Sequence, residues 1–255
     1  MLRIDNISFS YTKKPFINIE SLSFEKGVFY AIIGPNGCGK TTLMNIISGL
    51  RAPKKGFVSI DGQDFNSLSK KELAKKIAYL PQNNPNVDMT VYDYVAYGRF
   101  SELGFLKKLS SYDREIVSDS LKKTDTYSFY AKSITDLSGG EKQRVYIASL
   151  LSQNTPYVLL DEPTTHLDIS NQISTMNLLK KISRSDKCVI SVIHELSLAL
   201  KFCDVIILME RGNLTFIGTP DKTVNHKYID RAFNVKCEEI LLNGEKEYIL
   251  NKSHE

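Results

Sequence analysis

Gly34-Pro-Asn-Gly-Cys-Gly-Lys-Thr41 is the stretch on which the fold turns. It fits GxxxxGK[ST] and stands between an apolar run, Phe29-Tyr-Ala-Ile-Ile33, and a segment with Leu43, Ile46, Ile47 and Leu50 at helical spacing. A strand, a glycine loop and a helix are the context in which this motif cradles phosphate. Glycines let successive backbone N–H groups curl around phosphate oxygens, and the helix N-terminus adds a favourable dipole. Lys40 can reach β- and γ-phosphates, and the Thr41 hydroxyl can ligate Mg2+. A plain glycine-rich turn would not need these flanks. Alone, the loop does not choose among kinases, GTPases and ATPases.

Outward from the loop, residues 1–33 read as short strands, with Leu2, Ile4, Ile7 and Phe9 in broken alternation. Phe57 to Ile60 with its Asp61-Gly62 turn predicts a hairpin strand. Ser69 to Lys76 predicts a short helix in which Ser69 and Glu72 form a capping box. The strand Ile77 to Leu80 then runs into Pro81-Gln82. Strand signals return at Tyr157–Leu160, Cys188–Ile193 and Val205–Met209. Apolar strands alternating with helices imply an α/β fold with a parallel sheet. From about Asn83 to Gln153 the pattern is helical and more polar, so it is expected as an insertion. The expected organisation is one domain: an α/β core from 1–82 and 154–220, a helical insertion at 83–153, and a tail at 221–255. That tail should hold a short helix, Tyr228 to Asn234, and a hairpin turning at Asn243-Gly244.

The 255 residues suffice for one large domain or two small ones. Hydrophobic residues at 42% and charged residues at 24% are an ordinary globular balance. The 33 basic and 29 acidic side chains leave +4, too mild to argue for a nucleic-acid partner, which wants a clustered basic face. Cys38, Cys188, Cys203 and Cys237 lie far apart without CxxC pairing, as for reduced thiols in a cytosolic protein. The start, MLRIDNISFS, lacks a signal-peptide layout, and no apolar run approaches the roughly 20 residues that cross a bilayer. A membrane role is expected only through a partner.

Three further features narrow the chemistry. Tyr157-Val-Leu-Leu-Asp-Glu162 is an apolar strand ending in two carboxylates. Asp161 suits the Mg2+ water shell, and Glu162 can polarise an attacking water as general base; two solvated acids at a strand end are the plainer alternative. Leu137-Ser-Gly-Gly-Glu141 places Ser138 as an N-cap, with Gly139 and Gly140 leaving open N–H groups at a helix start. That is a second anion site, or simply a capped helix. His194, after six mostly apolar residues, is a phosphate contact or a satisfied strand-end histidine.

Together these residues closely resemble the nucleotide-binding subunit of ABC transporters, over nearly the whole chain. Gly34, Pro35, Asn36, Gly37, Cys38, Gly39, Lys40 and Thr41, followed by Thr42, look like the Walker A motif. Leu137–Glu141 resembles the LSGGQ signature, Val158–Glu162 Walker B with its catalytic glutamate, and Gln82 the Q-loop glutamine. Thr165-His-Leu-Asp168 looks like the D-loop, His194 like the switch histidine, and Tyr11 like the aromatic that stacks on adenine. The departures are Cys38 for the usual Ser and Glu141 for Gln.

The resemblance implies a RecA-like P-loop NTPase core with an antiparallel β subdomain and an inserted α-helical subdomain. It also implies ATP and Mg2+ as cofactors, the latter on Thr41, Gln82 and Asp161. Glu162, His194 and Gln82 would be the catalytic set. Two copies would pair head to tail, each ATP lying between one Walker A and the partner's Ser138-Gly139-Gly140, with Asp168 alongside. The insertion would dock a membrane permease at the cytoplasmic face of the membrane, served indirectly by a substrate-binding protein.

Thr90-Val-Tyr-Asp-Tyr-Val-Ala-Tyr-Gly-Arg99, with Ser111-Tyr-Asp113 and His194–Ala199, is similar to importers of iron–siderophore, haem and vitamin B12; aromatics of any amphipathic helix are the plainer alternative. Ferric chelates come first, then haem or cobalamin, then zinc or manganese. A soluble, non-transport ABC ATPase is the competing class, although the heptads of repair types and the doubled cassettes of ribosome types are not found. A P-loop kinase or GTPase leaves LSGGE unexplained. Cys38 carries its own pair of readings: a thiolate favoured by Lys40 and the helix start, or a small filler.

Overall fold

The computed structural model describes residues 1–12, 16–84, 87–102, 108–242 and 244–252. In chain order, β1 (Leu2–Phe9) and β2 (Ile17–Phe24) lead to β3 (Phe29–Ile33) and, across the glycine loop, to α1 (Lys40–Ile47). β4 (Lys55–Ile60), β5 (Gln63–Asp64), α2 (Lys70–Ala74) and β6 (Ile77–Leu80) follow. Next come α3 (Val91–Tyr97), α4 (Ser111–Lys123) and α5 (Gly139–Ser152). The chain returns through β7 (Tyr157–Asp161), α6 (Ile169–Ser183), β8 (Cys188–Val192), α7 (Leu196–Phe202), β9 (Val205–Glu210) and β10 (Asn213–Gly218). It ends in α8 (Pro220–Asn225), α9 (Tyr228–Phe233), β11 (Val235–Leu242) and β12 (Glu245–Lys252).

One sheet runs β10-β9-β3-β8-β7-β6, parallel throughout except for β10, which is antiparallel to β9. Its inner strands β3, β7 and β8 are buried along their whole length, which is why they read as continuous apolar runs. Successive side chains of β3 face opposite ways. Tyr30 and Ile32 pack toward α1 and the antiparallel sheet, while Phe29, Ala31 and Ile33 pack toward α5, α6 and α7. The second sheet, β2-β1-β4-β5, is antiparallel and contributes Ile4, Ile19 and Val58 to the α1 side. β4 starts two residues before the expected Phe57. Gly56, at φ +73, lies against a bulge in β1, where a Cβ would meet the Asp5 and Asn6 carbonyl oxygens at 2.3 Å.

α3, α4 and α5 enclose a separate cluster of Val91, Val95, Val117, Leu121, Ile134, Val145 and Ala148. A buried ion pair locks them: Arg99 Nε donates to Asp113 Oδ1 at 3.0 Å and Arg99 Nη1 to the Ser152 carbonyl at 2.9 Å. Arg99 and Asp113, two residues of the importer-like segments, therefore have a structural reason in this chain. Removing one partner of such a pair costs roughly 3–5 kcal/mol.

At the tail, α9 and the β11–β12 pairing follow the expected order, and Asn243 of the expected turn lies outside the described residues. β10 and α8 were not anticipated. β10 alternates half-buried and exposed residues on a sheet edge, so its sequence lacks an apolar run. No helix among the described residues is long and apolar enough to cross a membrane.

Candidate nucleotide site

β3 delivers the chain into the loop at Gly34, and Gly39 caps α1 with φ +109. Two glycines there have a reason: a Cβ on Gly34 would meet the Met209 carbonyl oxygen at 2.2 Å, and Gly39 sits at φ +109, a conformation side chains rarely adopt. Lys40 is buried, and its Nζ donates to the carbonyls of Gly34 at 2.8 Å and Pro35 at 3.1 Å. The ammonium is thereby curled back over the loop rather than pointing to solvent. Asn36 and Gly37 form the exposed crest, and Gly212 N–H fixes the far side by donating to the Cys38 carbonyl at 2.9 Å.

Of the two readings of Cys38, the structure favours the small filler. It is 4% exposed, and burial pushes its thiol above the usual range, outweighing Lys40 and the nearby N–H groups that pull it down. The small-filler reading stands: Sγ lies 2.8 Å from where a Gly34 Cβ would be. All four cysteines are free and buried.

β7 ends at Asp161, which is 2% exposed. Burial raises its carboxyl above the ordinary range, and the Glu162 charge adds to this, while Thr41, Tyr79 and Lys40 partly offset it. Tyr79 donates to Asp161 Oδ2 at 3.4 Å, but Oδ1 is buried with no hydrogen-bond partner among the described residues. An orphaned carboxylate oxygen beside the Thr41 hydroxyl is an arrangement that a hard cation would satisfy. Tyr79 was missed by sequence reasoning. Only its place on β6, three residues before Gln82, could have pointed to it.

Glu162 sits one residue on in the left-handed region, at φ 55, a posture costing roughly 1–3 kcal/mol for a non-glycine. Its carboxylate gathers three groups: Gln82 Nε2 donates to Oε2 at 2.6 Å, Thr165 Oγ1 donates to Oε2 at 3.2 Å, and His194 Nε2 lies 2.5 Å from Oε1. The parallel register of β7 with β8, Asp161 opposite Val192, brings His194 to the same end. Two candidates from distant parts of the sequence, Gln82 and His194, thus meet on the carboxylate of a third, Glu162. The plain alternative of two solvated acids does not describe it.

Ser138 N-caps α5 in a capping box. Its Oγ accepts from Glu141 N–H, and Glu141 Oε2 accepts from Ser138 N–H at 2.8 Å and Ser138 Oγ at 2.7 Å. These hydrogen bonds hold Glu141 below the usual carboxylate range. Asp168 caps α6, accepting from Asn171 N–H at 2.8 Å. No hydrogen bond joins Ser138 or Gly139 to the 34–41 loop among the described residues. Tyr11, 55% exposed, hydrogen-bonds Thr42 Oγ1 at 2.9 Å above the start of α1.

The fold and the carboxylate network are those of a P-loop NTPase, and the capped Ser-Gly-Gly helix start, which a kinase or GTPase reading leaves unexplained, agrees with an ATP-binding cassette. The ABC transporter family profile matches residues 17–165, from β2 to Thr165, and the chain belongs to that family. It is 35% identical over 238 residues to ferric enterobactin transport ATP-binding protein FepC of Escherichia coli (strain K12), covering 92% of this chain and 88% of that protein. It is 32% identical over 239 residues to iron(3+)-hydroxamate import ATP-binding protein FhuC of Bacillus subtilis (strain 168), covering 93% and 89%. Among solved structures, a dimeric ATP-binding cassette in a post-hydrolysis state with ADP and Pi superposes at TM-score 0.73 and 31% identity, over 86% of this chain and 99% of that one. The chain is an ATP-binding, ATP-hydrolysing subunit.

Proposed function

We propose that this ATPase powers an importer of iron–siderophore chelates, working as a head-to-tail dimer on the cytoplasmic face of a membrane permease. The observation that carries the reading is kinship along more than nine-tenths of the chain with proteins named for ferric enterobactin transport and iron(3+)-hydroxamate import. The insertion, 83–153, is the docking part, and a substrate-binding protein would deliver the chelate to the permease.

In the site, loop 34–41 and Lys40 bind the phosphates, and Tyr11 stacks on adenine. Glu162 takes the proton from the attacking water, a role worth roughly 10²–10⁴ in rate. His194 and Gln82 hold that carboxylate and face the γ-phosphate end. Thr41, Asp161 and Gln82 would hold Mg2+, which supplies counter-charge to the phosphates when bound. The partner's signature helix start, Ser138 with Gly139 and Gly140, closes the site from the other side, beside Asp168. Each chain carries one such loop and one such helix start, so a pair completes two sites.

Reconstitution tests the reading. Embedded with its genomic-neighbour permease in vesicles, the ATPase should accelerate when a binding protein loaded with ferric siderophore is added. Acceleration only with haem, cobalamin or zinc loading would replace the substrate. Co-purification with ribosomes or nucleic acid, with normal growth of a deletion strain on iron chelates, would overturn the importer.

A further inference from the structure

Tyr11 is held more firmly than its exposure explains. Besides the Thr42 bond, its ring meets Phe9 edge-on at 5.0 Å and Phe16 at 5.5 Å. The guanidinium carbon of Arg51 lies over the Tyr11 ring, 5.0 Å from its centroid, and 5.9 Å from that of Phe9. Arg51 follows α1, where Gly49 turns the chain at φ +76 and Arg51 N–H donates to the Asn45 carbonyl at 2.9 Å. The arginines in ion pairs among the described residues are Arg3, Arg99 and Arg184; Arg51 is in none. Among the described residues its guanidinium rests on the Phe9 and Tyr11 rings and pairs with no carboxylate.

An arginine resting on an aromatic ring is common in proteins, about one case per 70–80 residues, so the pair by itself decides nothing. What decides is where the ring is tied. Its hydroxyl bonds a residue of the phosphate-binding helix start, and over half of its surface stays open. A core has no need of a ring arranged in this way, whereas a purine-stacking platform does. A cation on one face also draws π density toward itself, which eases stacking of an electron-rich base on the remaining surface.

We infer that Arg51 is a positioning residue for nucleotide binding: it fixes Tyr11 as the platform for the base and strengthens the stack. The inference rests on the reading of Tyr11 as the adenine contact. Arg51 touches no phosphate in it, acting only through the ring.

The test is a double-mutant cycle on the purified chain, read by calorimetric ATP binding and steady-state hydrolysis. Arg51→Ala should raise the Kd and KM for ATP about two- to fivefold, the size expected of an exposed cation–π contact, with kcat kept. Arg51→Lys should recover part of the loss. The inhibition constant of inorganic tripolyphosphate, which has phosphates and no base, should not move. In a Tyr11→Ala background Arg51→Ala should add nothing, whereas in Tyr11→Phe, which keeps the ring, it should act as in the parent. If Tyr11→Ala leaves ATP affinity unchanged, the adenine reading fails and the inference with it. If Tyr11→Ala weakens ATP while Arg51→Ala does not, or weakens tripolyphosphate equally, the role of Arg51 alone is overturned.

Discussion

Replacing Glu162 by Gln separates chemistry from architecture at the centre of the site. The carboxylate now accepts from Gln82 and Thr165 on Oε2 and faces His194 on Oε1. A Gln amide can put its oxygen where Oε2 is, keeping both donors. Its NH2 then points at His194 Nε2, which as the unprotonated nitrogen of a neutral imidazole can accept. Every neighbour keeps a partner, so stability should change by no more than about 1 kcal/mol, the scale of one hydrogen bond. What disappears is the basic oxygen. Losing a general base costs roughly 10²–10⁴ in turnover, or about 2.7–5.4 kcal/mol of barrier. The assay is phosphate release at saturating ATP beside thermal unfolding of the same preparation, with ATP affinity measured by calorimetry. The expected result is a loss of at least about a hundredfold in kcat, unchanged affinity and a melting temperature within a few degrees. Near-normal hydrolysis would refute the assignment, and a large drop in melting temperature would refute the argument that the amide fits.

Ser138→Arg should leave ATP binding to the single chain nearly intact while abolishing ATP-dependent dimers and hydrolysis, if the cap faces a second subunit as proposed. The lost cap should lower stability by about 1 kcal/mol, and a fall in monomer affinity matching that of Lys40→Ala would show that the site is complete within one chain. N-ethylmaleimide should label Cys38 slowly, with or without nucleotide, since the thiol is buried and its pKa raised; fast labelling suppressed by ATP would restore the thiolate reading. Asp161→Asn should raise the melting temperature of the nucleotide-free protein while removing hydrolysis. An acid whose folded pKa is raised favours folding below its unfolded pKa and loses that contribution as pH rises through the folded pKa. The variant's advantage should therefore be largest near about pH 8 and shrink toward about pH 5; an advantage that grows with acidity would contradict it.

Much of the α/β scaffold was legible because its strands are buried on both faces and its loop carries a motif whose glycines stand at positive φ. Glu162 was legible as a residue but not as a posture. Nothing in LLDEP announces that Glu162 turns left-handed and meets Gln82 and His194; that follows from the register of β7 and β8, a property of the folded sheet. The two readings of Cys38 could not be separated for a related reason. Sequence neighbours predicted what Lys40 and the helix start would do to a thiol, but desolvation, set by how tightly the loop packs under Met209, outweighed both. Arg51 was invisible altogether, since its partner Tyr11 lies forty residues away and the two meet only when α1 packs on the antiparallel sheet.

The signature shows most clearly how one motif can carry two physical demands. Gly139 and Gly140 were read together, as a pair opening N–H groups toward an anion. A Cβ on Gly139 would meet nothing within 4 Å, whereas one on Gly140 would meet the Asn171 amide at 2.4 Å. Gly140 is therefore where α5 comes closest to Asn171 of α6. There Arg144 Nη1 donates to Asn171 Oδ1 at 3.3 Å, and Asn171 Nδ2 donates to Asp168 Oδ2 at 2.9 Å. Asp168 closes the segment that begins at Glu162. The helix start proposed to face a partner's nucleotide is thus tied, through Asn171 and Asp168, to the loop that follows Glu162. The link runs through side-chain hydrogen bonds alone, Arg144 to Asn171 and Asn171 to Asp168, so Asn171→Ala should separate the start of α5 from the 165–168 loop while leaving both helices formed.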